Sequence, residues 1–310
     1  METLSVRSQP VWAYLQLMRP ANILTAWADI LVGYAAAGGL AVGASVGGGE
    51  ASMTALSALG WLLLSTSGLY GGGVVFNDVF DAELDQVERP ERPLPSGRAS
   101  LTGATILGSV LLAIGVLAAV QVSLVSAGLA MAVAIAALIY DALGKHQGVL
   151  GPLNMGICRG GNLLLGVSVM PMMLADRWFL AFIPIVYIAA VTAVSQGEVE
   201  GGKRQTGVLA IVLVLLVLAS VLGLGWLASY HWLWSLPFAA LFAGLVLPAF
   251  GQATRDPSPA TIQKAVKSGV LSLIVLDAAI AAGFAGWLYG LAVLLLLPLS
   301  MALARLFAVT

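Results

Sequence analysis

Apolar residues dominate the chain in long runs that short polar stretches separate. Ten of these runs are long enough to cross a bilayer, which takes about 20 residues at a helical rise of about 1.5 Å per residue. The ten segments cover residues 21–43, 52–76, 101–121, 123–143, 151–173, 177–195, 206–230, 233–250, 263–287 and 289–308. The pattern therefore predicts an all-α fold, a polytopic helical bundle that spans a membrane and contacts its lipid.

The number of spans depends on the last segment. Only a turn region containing Trp287, Leu288, Tyr289 and Gly290 separates it from the segment before. The last segment is then either a span or an interfacial helix, so nine and ten spans are both compatible with the sequence. No polar interruption is long enough for a separate soluble domain, and we expect one integral membrane domain over residues 1–310.

Composition supports a membrane protein and excludes several kinds of function. Of 310 residues, 60% are hydrophobic and 9% are charged, with a mean hydropathy of +0.98, whereas soluble domains have about 25% charged residues. Fourteen basic and 15 acidic residues leave a net charge of −1, which argues against a nucleic-acid partner. The single cysteine, Cys158, lies within an apolar run and excludes an internal disulfide and a cysteine-based zinc or iron site.

Basic residues collect on one side of the predicted bundle when the loops are assigned alternately to two sides. That side receives 12 of the 14 basic residues: Arg7, Arg19, Arg89, Arg92, Arg98, Lys145, Lys203, Arg204, Arg255, Lys264, Lys267 and Arg305. The other side has Arg177 alone, and Arg159 lies within a segment. Because cytoplasmic loops are enriched in Lys and Arg, we assign the basic side and the N-terminus to the cytoplasmic face of the cell (inner) membrane.

Two loops on this side share one plan, in which acidic residues precede basic ones. The first loop follows the second segment and the other follows the sixth, where Glu198 and Glu200 precede Lys203 and Arg204. Four segments separate the loops, and an even number of spans places both on the same face. The two halves of the chain are therefore predicted to be parallel repeats.

The first loop opens with residues 77–85, which are predicted to continue the second helix, and the carboxylates of this stretch have the spacing of a helix face. Asp78, Asp81 and Asp85 stand at positions i, i+3 and i+7, which lie on one side of a helix. Three such charges beside a membrane would be costly without a cation, and hard oxygen ligands suit Mg²⁺ when diphosphate oxygens complete its octahedron. The pattern predicts a site for a divalent metal and diphosphate, although it does not separate Mg²⁺ from Ca²⁺. The alternative is a solvated acidic helix end paired with nearby arginines.

The same loop resembles the first signature of a known family. Asn77-Asp78-x-x-Asp81-x-x-x-Asp85, followed by Arg92-Pro93-Leu94-Pro95-Ser96-Gly97-Arg98, is similar to that of the UbiA superfamily of intramembrane prenyltransferases. The resemblance extends to Arg19-Pro20-x-Asn22 and to Tyr140 with Lys145, and so covers nearly the whole chain. It implies a bundle of nine helices in which Mg²⁺ holds an isoprenoid diphosphate, whose prenyl group is transferred to an aromatic or other lipophilic acceptor.

The resemblance also implies roles for individual residues. Asp78, Asp81 and Lys145 would be catalytic, and Asp78, Asp81 and Asp85 would bind the metal. Substrate binding would fall to Asn22, Asn77, Arg92, Tyr140, Arg159, Asn162, Glu198, Lys203 and Arg204. Among these, Lys145, Lys203, Arg204 and Arg92 suit the departing diphosphate, because ammonium groups and guanidinium forks both bind phosphate oxygens. Tyr140 is a candidate for cation–π stabilisation of the allylic cation or for anchoring at the interface.

The second signature of the family is altered in this chain. Where the family has Asp-x-x-x-Asp after the sixth span, Glu198 replaces the first aspartate and Gly202 the second. Glu198 would then be the remaining ligand of a second Mg²⁺. A chain that kept the diphosphate pocket without full catalysis would be a carrier or partner in a secondary-metabolite pathway, and this alternative stays open. Gln196-Gly197-Glu198 and Arg159-Gly160-Gly161-Asn162 resemble the EboC-type branch associated with such pathways.

A few polar residues lie inside the apolar segments, where ionisable groups usually face an interior cavity or a partner. Asp29, seven residues after Asn22, would either bind the acceptor or form a structural hydrogen bond. Arg159, with Asn162, would reach the diphosphate or pair with Asp141. Asp277 is remote from the motifs, and we expect it to have a structural partner.

Overall fold

The computed structural model describes residues 10–40, 49–144, 150–198 and 201–307. Within these ranges the regular structure is entirely helical, as predicted. The helices are α1 (Pro10–Leu17), α2 (Pro20–Ala36), α3 (Gly49–Phe80), α4 (Ala82–Glu88), α5 (Leu101–Val120), α6 (Leu124–Ile139), α7 (Leu150–Val167), α8 (Phe182–Ser195), α9 (Arg204–Gly223), α10 (Trp232–Arg255), α11 (Pro259–Ala285), α12 (Trp287–Leu294) and α13 (Leu296–Phe307). A π-helical turn, Tyr140–Gly144, extends α6.

The structure confirms an integral membrane bundle. In the part of the chain that it describes, 8 helical stretches have the length and hydropathy to cross a membrane. They are Ala55–Phe80, Leu101–Val120, Leu124–Leu143, Pro171–Ser195, Arg204–Trp226, Trp232–Arg255, Pro259–Ala285 and Trp287–Phe307. The other two predicted segments correspond to α2, which has 17 residues, and to α7, whose apolar run includes Asn154, Arg159 and Asn162.

Helices α2, α7 and α11 form the centre of the bundle. Helix α2 packs against α3, α7, α11 and α13, and α11 also packs against α8, α10 and α12. Helices α3, α5 and α6 pack in sequence on one side of this centre, whereas α8, α9 and α10 pack in sequence on the other. The first, fifth and ninth predicted segments, which run in the same direction through the membrane, therefore make up the interior.

Glycines allow two pairs of helices to approach to backbone contact. A Cβ atom at Gly33 of α2 would overlap the backbone of α7 at Leu163, and one at Gly166 of α7 would overlap that of α2 at Ile30. Between α3 and α5, a Cβ atom at Gly68 would meet the Gly115 backbone nitrogen at 2.7 Å. Small residues at such crossings are the usual device of membrane helices, whose association relies on close packing.

The aspartate-rich segment was predicted to continue the second helix beyond its apolar part, residues 52–76. The structure confirms this, because α3 runs to Phe80 and α4 follows with its hydrogen bonding almost unbroken. The amide of Asp81 donates to the Asn77 carbonyl at 3.0 Å, and that of Asp85 donates to the Asp81 carbonyl at 2.8 Å. The three aspartates thus stay on one helical path. The fifth segment was predicted to reach residue 173, whereas α7 ends at Val167.

The last segment runs from one end of the bundle to the other on its outer side, as a tenth span would. Gly286 makes the turn that separates it from α11, with a φ of 93° that favours glycine. Helix α13 then packs on α2, where the Ser300 hydroxyl donates to the Ala21 carbonyl at 2.8 Å. At its end Phe307 stacks on Trp12 of α1, with ring centroids 4.5 Å apart. The tenth segment therefore ends at the same end of the bundle as α1.

Candidate active site

Arg19 and Asp78 join the start of α2 to the end of α3. The Arg19 guanidinium donates a 2.6 Å hydrogen bond to Asp78 Oδ1, and only 5% of the Asp78 side chain is exposed. Arg19 has a φ of 46°, in the left-handed region that non-glycine residues rarely adopt. Pro20, which opens α2, also disfavours the helical conformation at Arg19. The backbone at Arg19 is thus held in an unusual conformation, and strain of this kind is typical of functional sites.

Arg92 approaches the same carboxylates from the loop after α4. One of its terminal nitrogens, Nη1, lies 2.7 Å from Asp85 Oδ2 and 3.4 Å from Asp78 Oδ1. Arg98 fastens this loop to α1, because its guanidinium donates to Gln16 Oε1 at 2.9 Å and to the Glu91 carbonyl at 2.7 Å. Two arginines from different segments therefore neutralise the buried aspartates. Sequence reasoning foresaw Arg92 near these groups but assigned Arg19 no partner.

The donor set fits a magnesium ion that is bound together with a phosphorylated ligand. Among the described residues, no group of three or more His, Cys, Asp or Glu side chains forms a complete metal site. Mg²⁺ is commonly held by one or two carboxylates and by substrate phosphates, with waters completing its shell, so a complete protein cage is not required. Asp78 and Asp85 supply hard oxygen donors beside cationic groups that match phosphate.

Asn77 and Tyr140 connect the aspartates to the end of α6. The Asn77 side-chain amide donates to Asp141 Oδ1 at 2.9 Å. Tyr140 is partly buried at the start of the π-helical turn. The carboxylates of Asp81 and Asp141 are near enough to its hydroxyl to interact with it electrostatically. Turns of this kind within helices are frequent at functional sites. Lys145, predicted to be catalytic, lies outside the described residues.

The second motif loop lies at the same end as the first. Burial raises the pKa of the Glu198 carboxyl, and the nearby positive charge of Arg89, from the first loop, partly offsets that rise. The Glu198 carbonyl accepts a 3.3 Å hydrogen bond from the Gln263 side chain. Lys203 and Arg204 are exposed where α9 begins. A cavity of about 330 Å³ adjoins this loop, lined by Gln196, Gly197, Lys203 and Thr206 among others.

Arg159 and Asn162 do not join the aspartates of the motif loops. Arg159 Nη1 lies 3.2 Å from Asp29 Oδ2, and the Asn162 amide donates to the same oxygen at 2.9 Å. Thr66 of α3 donates to Asn162 Oδ1 at 2.7 Å. Thr66 precedes Asp78 by twelve residues, or about 18 Å of helix. The predicted role of Arg159 and Asn162 in binding diphosphate therefore lacks the geometry it requires, and they form an interior cluster with Asp29 and Thr66.

Asp277 meets this interior cluster from α11. Asp277 is 2% exposed, and its carboxylate lies near enough to that of Asp29 for the two charges to interact. Asp29 Oδ1 and Asp277 Oδ2 have no donor from the described protein groups.

Comparison with known proteins decides the family. Residues 30–274 match the UbiA prenyltransferase family. The chain belongs to this family. A UbiA-family fold accounts for the helical bundle and for the aspartate-rich end of α3, which the first family signature had indicated.

Individual relatives of this UbiA-family chain are distant. A digeranylgeranylglyceryl phosphate synthase of Ignicoccus hospitalis is 28% identical over 213 residues, covering 65% of this chain and 64% of that protein. A solved structure of digeranylgeranylglyceryl phosphate synthase has a TM-score of 0.63 at 23% identity, covering 91% of this chain and 99% of the other. A UbiA homologue from Archaeoglobus fulgidus, bound to DMAPP and Mg²⁺, has a TM-score of 0.60 at 16% identity, covering 90% and 98%. At these identities the two structures establish the fold alone.

Proposed function

We propose that this protein is a Mg²⁺-dependent prenyltransferase that moves a prenyl group from an isoprenoid diphosphate to a lipophilic acceptor within the membrane. The observation that carries the proposal is Asp78, a buried carboxylate that faces two guanidinium groups from separate segments, Arg19 and Arg92. A mixed set of carboxylates and guanidinium groups is what a metal–diphosphate pair requires. The homologue from Archaeoglobus fulgidus, which binds DMAPP and Mg²⁺, supports the same assignment.

The reaction breaks the bond between the allylic carbon and a diphosphate oxygen, and the electron pair leaves with the diphosphate. The acceptor forms the new bond to that carbon and gives up a proton. Arg19 and Arg92 would hold the departing oxygens as their charge grows. Asp78, Asp81 and Asp85 would bind Mg²⁺, which neutralises that charge when present. The hydrogen bond from Asn77 to Asp141 holds the end of α6 against α3, and Tyr140, which precedes Asp141, would contribute its ring to the same site.

The decisive experiment measures both binding and bond cleavage. Purified protein would be incubated with dimethylallyl or geranyl diphosphate, with and without Mg²⁺, and bound ligand and released diphosphate would be quantified. We expect Mg²⁺-dependent binding that Asp78→Asn weakens by at least about 10- to 100-fold, since that loss is already typical when only a residue supporting a metal ligand is changed. Glu83→Gln, at an exposed acid of α4, is the matched control and should bind like the wild type.

The altered second motif favours a specific second candidate, a non-catalytic carrier. Gly202 stands where the family has an aspartate, so this position supplies no carboxylate. The backbone amide of Gly202 donates to the Pro257 carbonyl at 2.9 Å. Ligand binding without diphosphate release, tested with membrane lipid extracts as a source of acceptor, would support the carrier. Failure of the wild type to bind either diphosphate would contradict both candidates.

We also propose that both motif loops face the cytoplasm. The charge bias of the loops supports this orientation, and the proximity of Arg89 to Glu198 supports a common side. In a Cys158→Ala background, cysteines at Ser96 and Gln205, both exposed, should resist an impermeant thiol reagent applied to intact cells. A cysteine at exposed Ala228, on the other side, should react. Reaction at either loop position from outside would reverse the assignment.

A further inference from the structure

The end of the bundle that carries the motif loops has two parts that differ in charge pairing. Around the first loop, Arg19 and Arg92 bind buried aspartates at 2.6 and 2.7 Å. At the ends of α9, α10 and α11, five basic residues are exposed, and we call them the basic surface: Lys203, Arg204, Arg255, Lys264 and Lys267. Within the part of the chain that the structure describes, no ion pair joins the basic surface to a carboxylate.

The acids nearby are too few to neutralise the basic surface. Residues 196–267 contain five Lys and Arg residues and three acids, Glu198, Glu200 and Asp256, which leaves an excess of two positive charges. Asp256 is engaged locally, since its carboxylate accepts hydrogen bonds from two side-chain hydroxyls at the start of α11, at 3.2 and 3.0 Å. Glu198 has Arg89, from the first loop, as a cationic neighbour. The excess positive charge therefore favours an anionic partner.

The cavity of about 330 Å³ beside Lys203 lies between the ends of α8, α9, α10 and α11. This volume is at the lower end of the range for small-molecule sites, about 300–1,000 Å³. The polar residues that line the cavity are Gln196, Lys203 and Thr206, and its other lining residues are glycine or apolar. Among the described residues, none that lines the cavity comes from α2, α3 or the first loop. The cavity is therefore separate from the carboxylates of Asp78 and Asp85.

Helix α9 has an exposed apolar stripe that begins three residues after Thr206. Leu209, Val212 and Leu216 stand at positions i, i+3 and i+7, on one side of the helix, and are 52%, 54% and 52% exposed. The stripe starts about 4.5 Å along the helix from Thr206 and belongs to the span Arg204–Trp226. A lipid whose acyl chains lie along this stripe would bring its headgroup to the level of the cavity.

We propose that the cavity and the basic surface form a site for the phosphate headgroup of an anionic membrane lipid, separate from the site of the isoprenoid diphosphate. Phosphate oxygens accept hydrogen bonds from ammonium and hydroxyl groups, which Lys203 and Thr206 supply at the cavity. The other cations of the basic surface lie where α9, α10 and α11 leave the membrane, and clusters of four to eight Lys and Arg at such places bind anionic lipids. The inference goes beyond the proposed function, because it requires neither Mg²⁺ nor prenyl transfer.

The test is a lipid competition on the purified full-length protein in detergent. Phosphatidic acid and phosphatidylcholine with identical acyl chains would be offered in equal amounts, and native mass spectrometry would count the bound lipids. Because identical chains cancel the apolar contacts, the ratio of bound lipids reports on the headgroup. We expect phosphatidic acid to be favoured at least tenfold, and Lys203→Gln to reduce this preference at least threefold. Arg305→Gln, which removes an exposed cation at the same end of the bundle but outside the cavity, is the matched control and should leave the preference unchanged.

Two soluble competitors distinguish the lipid from other phosphate sources. Phosphatidic acid that persists against inorganic phosphate and against geranyl diphosphate would support the lipid site. Displacement by inorganic phosphate would indicate a site for a free anion, and displacement by geranyl diphosphate alone would make the cavity part of the donor site, so either result would overturn the proposal. Equal losses in Lys203→Gln and Arg305→Gln would also overturn it, because the preference would then come from the charge of the whole end. The wild-type competitions decide the matter even if Lys203→Gln fails to fold.

Discussion

Two clusters of the molecule pair aspartate with arginine, and they differ in what holds the arginine. At the end of the bundle, Arg19 precedes a helix and Arg92 lies in a loop, and 25% and 10% of their side chains are exposed. In the interior, Arg159 and Asp29 come from the middles of packed helices, with 8% and 0% exposed. The same chemistry thus occurs once with arginines that can exchange partners and once with an arginine that cannot.

This difference determines whether each cluster can exchange its partners for a ligand. When Asp78 leaves its arginine to bind metal, that arginine becomes free to bind phosphate, and every charge stays compensated. Ligand binding at the end cluster therefore leaves no charge unpaired. In the interior cluster Asp29 is bound by Asn162 and Arg159 among buried groups, and a lost partner cannot be replaced by water. Three predictions examine this contrast, in order of expected effect.

The largest effect is expected from Arg159→Gln. It leaves the Asp29 carboxylate without its cation in the interior, and breaking a buried ion pair costs about 3–5 kcal/mol. Thermal unfolding in detergent should show a large fall in Tm that Mg²⁺ does not reverse. Adding Asp29→Asn, which removes the stranded charge, should recover part of the loss. A wild-type Tm for Arg159→Gln would show that the interior pair is not fixed as the contacts indicate.

A smaller effect, which Mg²⁺ reverses, is expected from Arg92→Gln. Asp85 loses its guanidinium partner, while Asp78 keeps Arg19. A hydrogen bond to a charged group contributes about 1.5–3 kcal/mol, and we expect a loss of stability of that order. Because the freed carboxylates bind metal more readily, Mg²⁺ should raise the Tm of Arg92→Gln more than that of the wild type. An equal response to Mg²⁺ would mean that Arg92 and metal do not compete for these oxygens.

Much of the fold follows from the sequence because apolar length and loop charge are local properties. The third segment was predicted at residues 101–121 and α5 spans Leu101–Val120, since Ser100 caps the helix by accepting from the Gly103 amide at 3.0 Å. The helical path through the aspartates was predicted from their spacing, and the backbone hydrogen bonds of Asp81 and Asp85 confirm it. The pairing of Arg19 with Asp78 was not predicted, because it joins two segments that are distant in the sequence.

The interior cluster was not predicted, although its members were noticed singly. Asp29, Arg159 and Asp277 are ionisable residues inside apolar segments, and such charges must find partners in the membrane. All three lie in segments that run in the same direction, which was the available signal. Their actual pairing depends on which helices touch, and that depends on contacts such as Gly33 with Gly166. Nothing in the linear spacing of these residues records those contacts.

The smallest effect is expected at the second motif loop, where Glu198 is half-buried and has Arg89 as a cationic neighbour. Burial raises its pKa above the ordinary value of 4.5, so the folded protein holds this proton more tightly than the unfolded chain does. Ionised Glu198 therefore lowers stability as pH rises from about 4.5 through the raised pKa. Mg²⁺ bound there would compete with the proton, and its affinity should fall as pH falls through the same window.

A Mg²⁺ titration of geranyl diphosphate binding at several pH values separates the possibilities. If Glu198 binds metal, Glu198→Gln should raise the Mg²⁺ requirement a few-fold and remove that part of its pH dependence. Gly202→Asp should lower the requirement, since its added carboxylate needs only the flexible end of Ile262, 2.8 Å from a Cβ atom, to move. If Lys203 and Arg204 hold the diphosphate directly, Glu198→Gln leaves the requirement unchanged, and loss of either cation weakens binding at every Mg²⁺ concentration. The second outcome would make this loop a cationic counterpart of Arg19 and Arg92, and only the aspartates of α3 and α4 would bind metal.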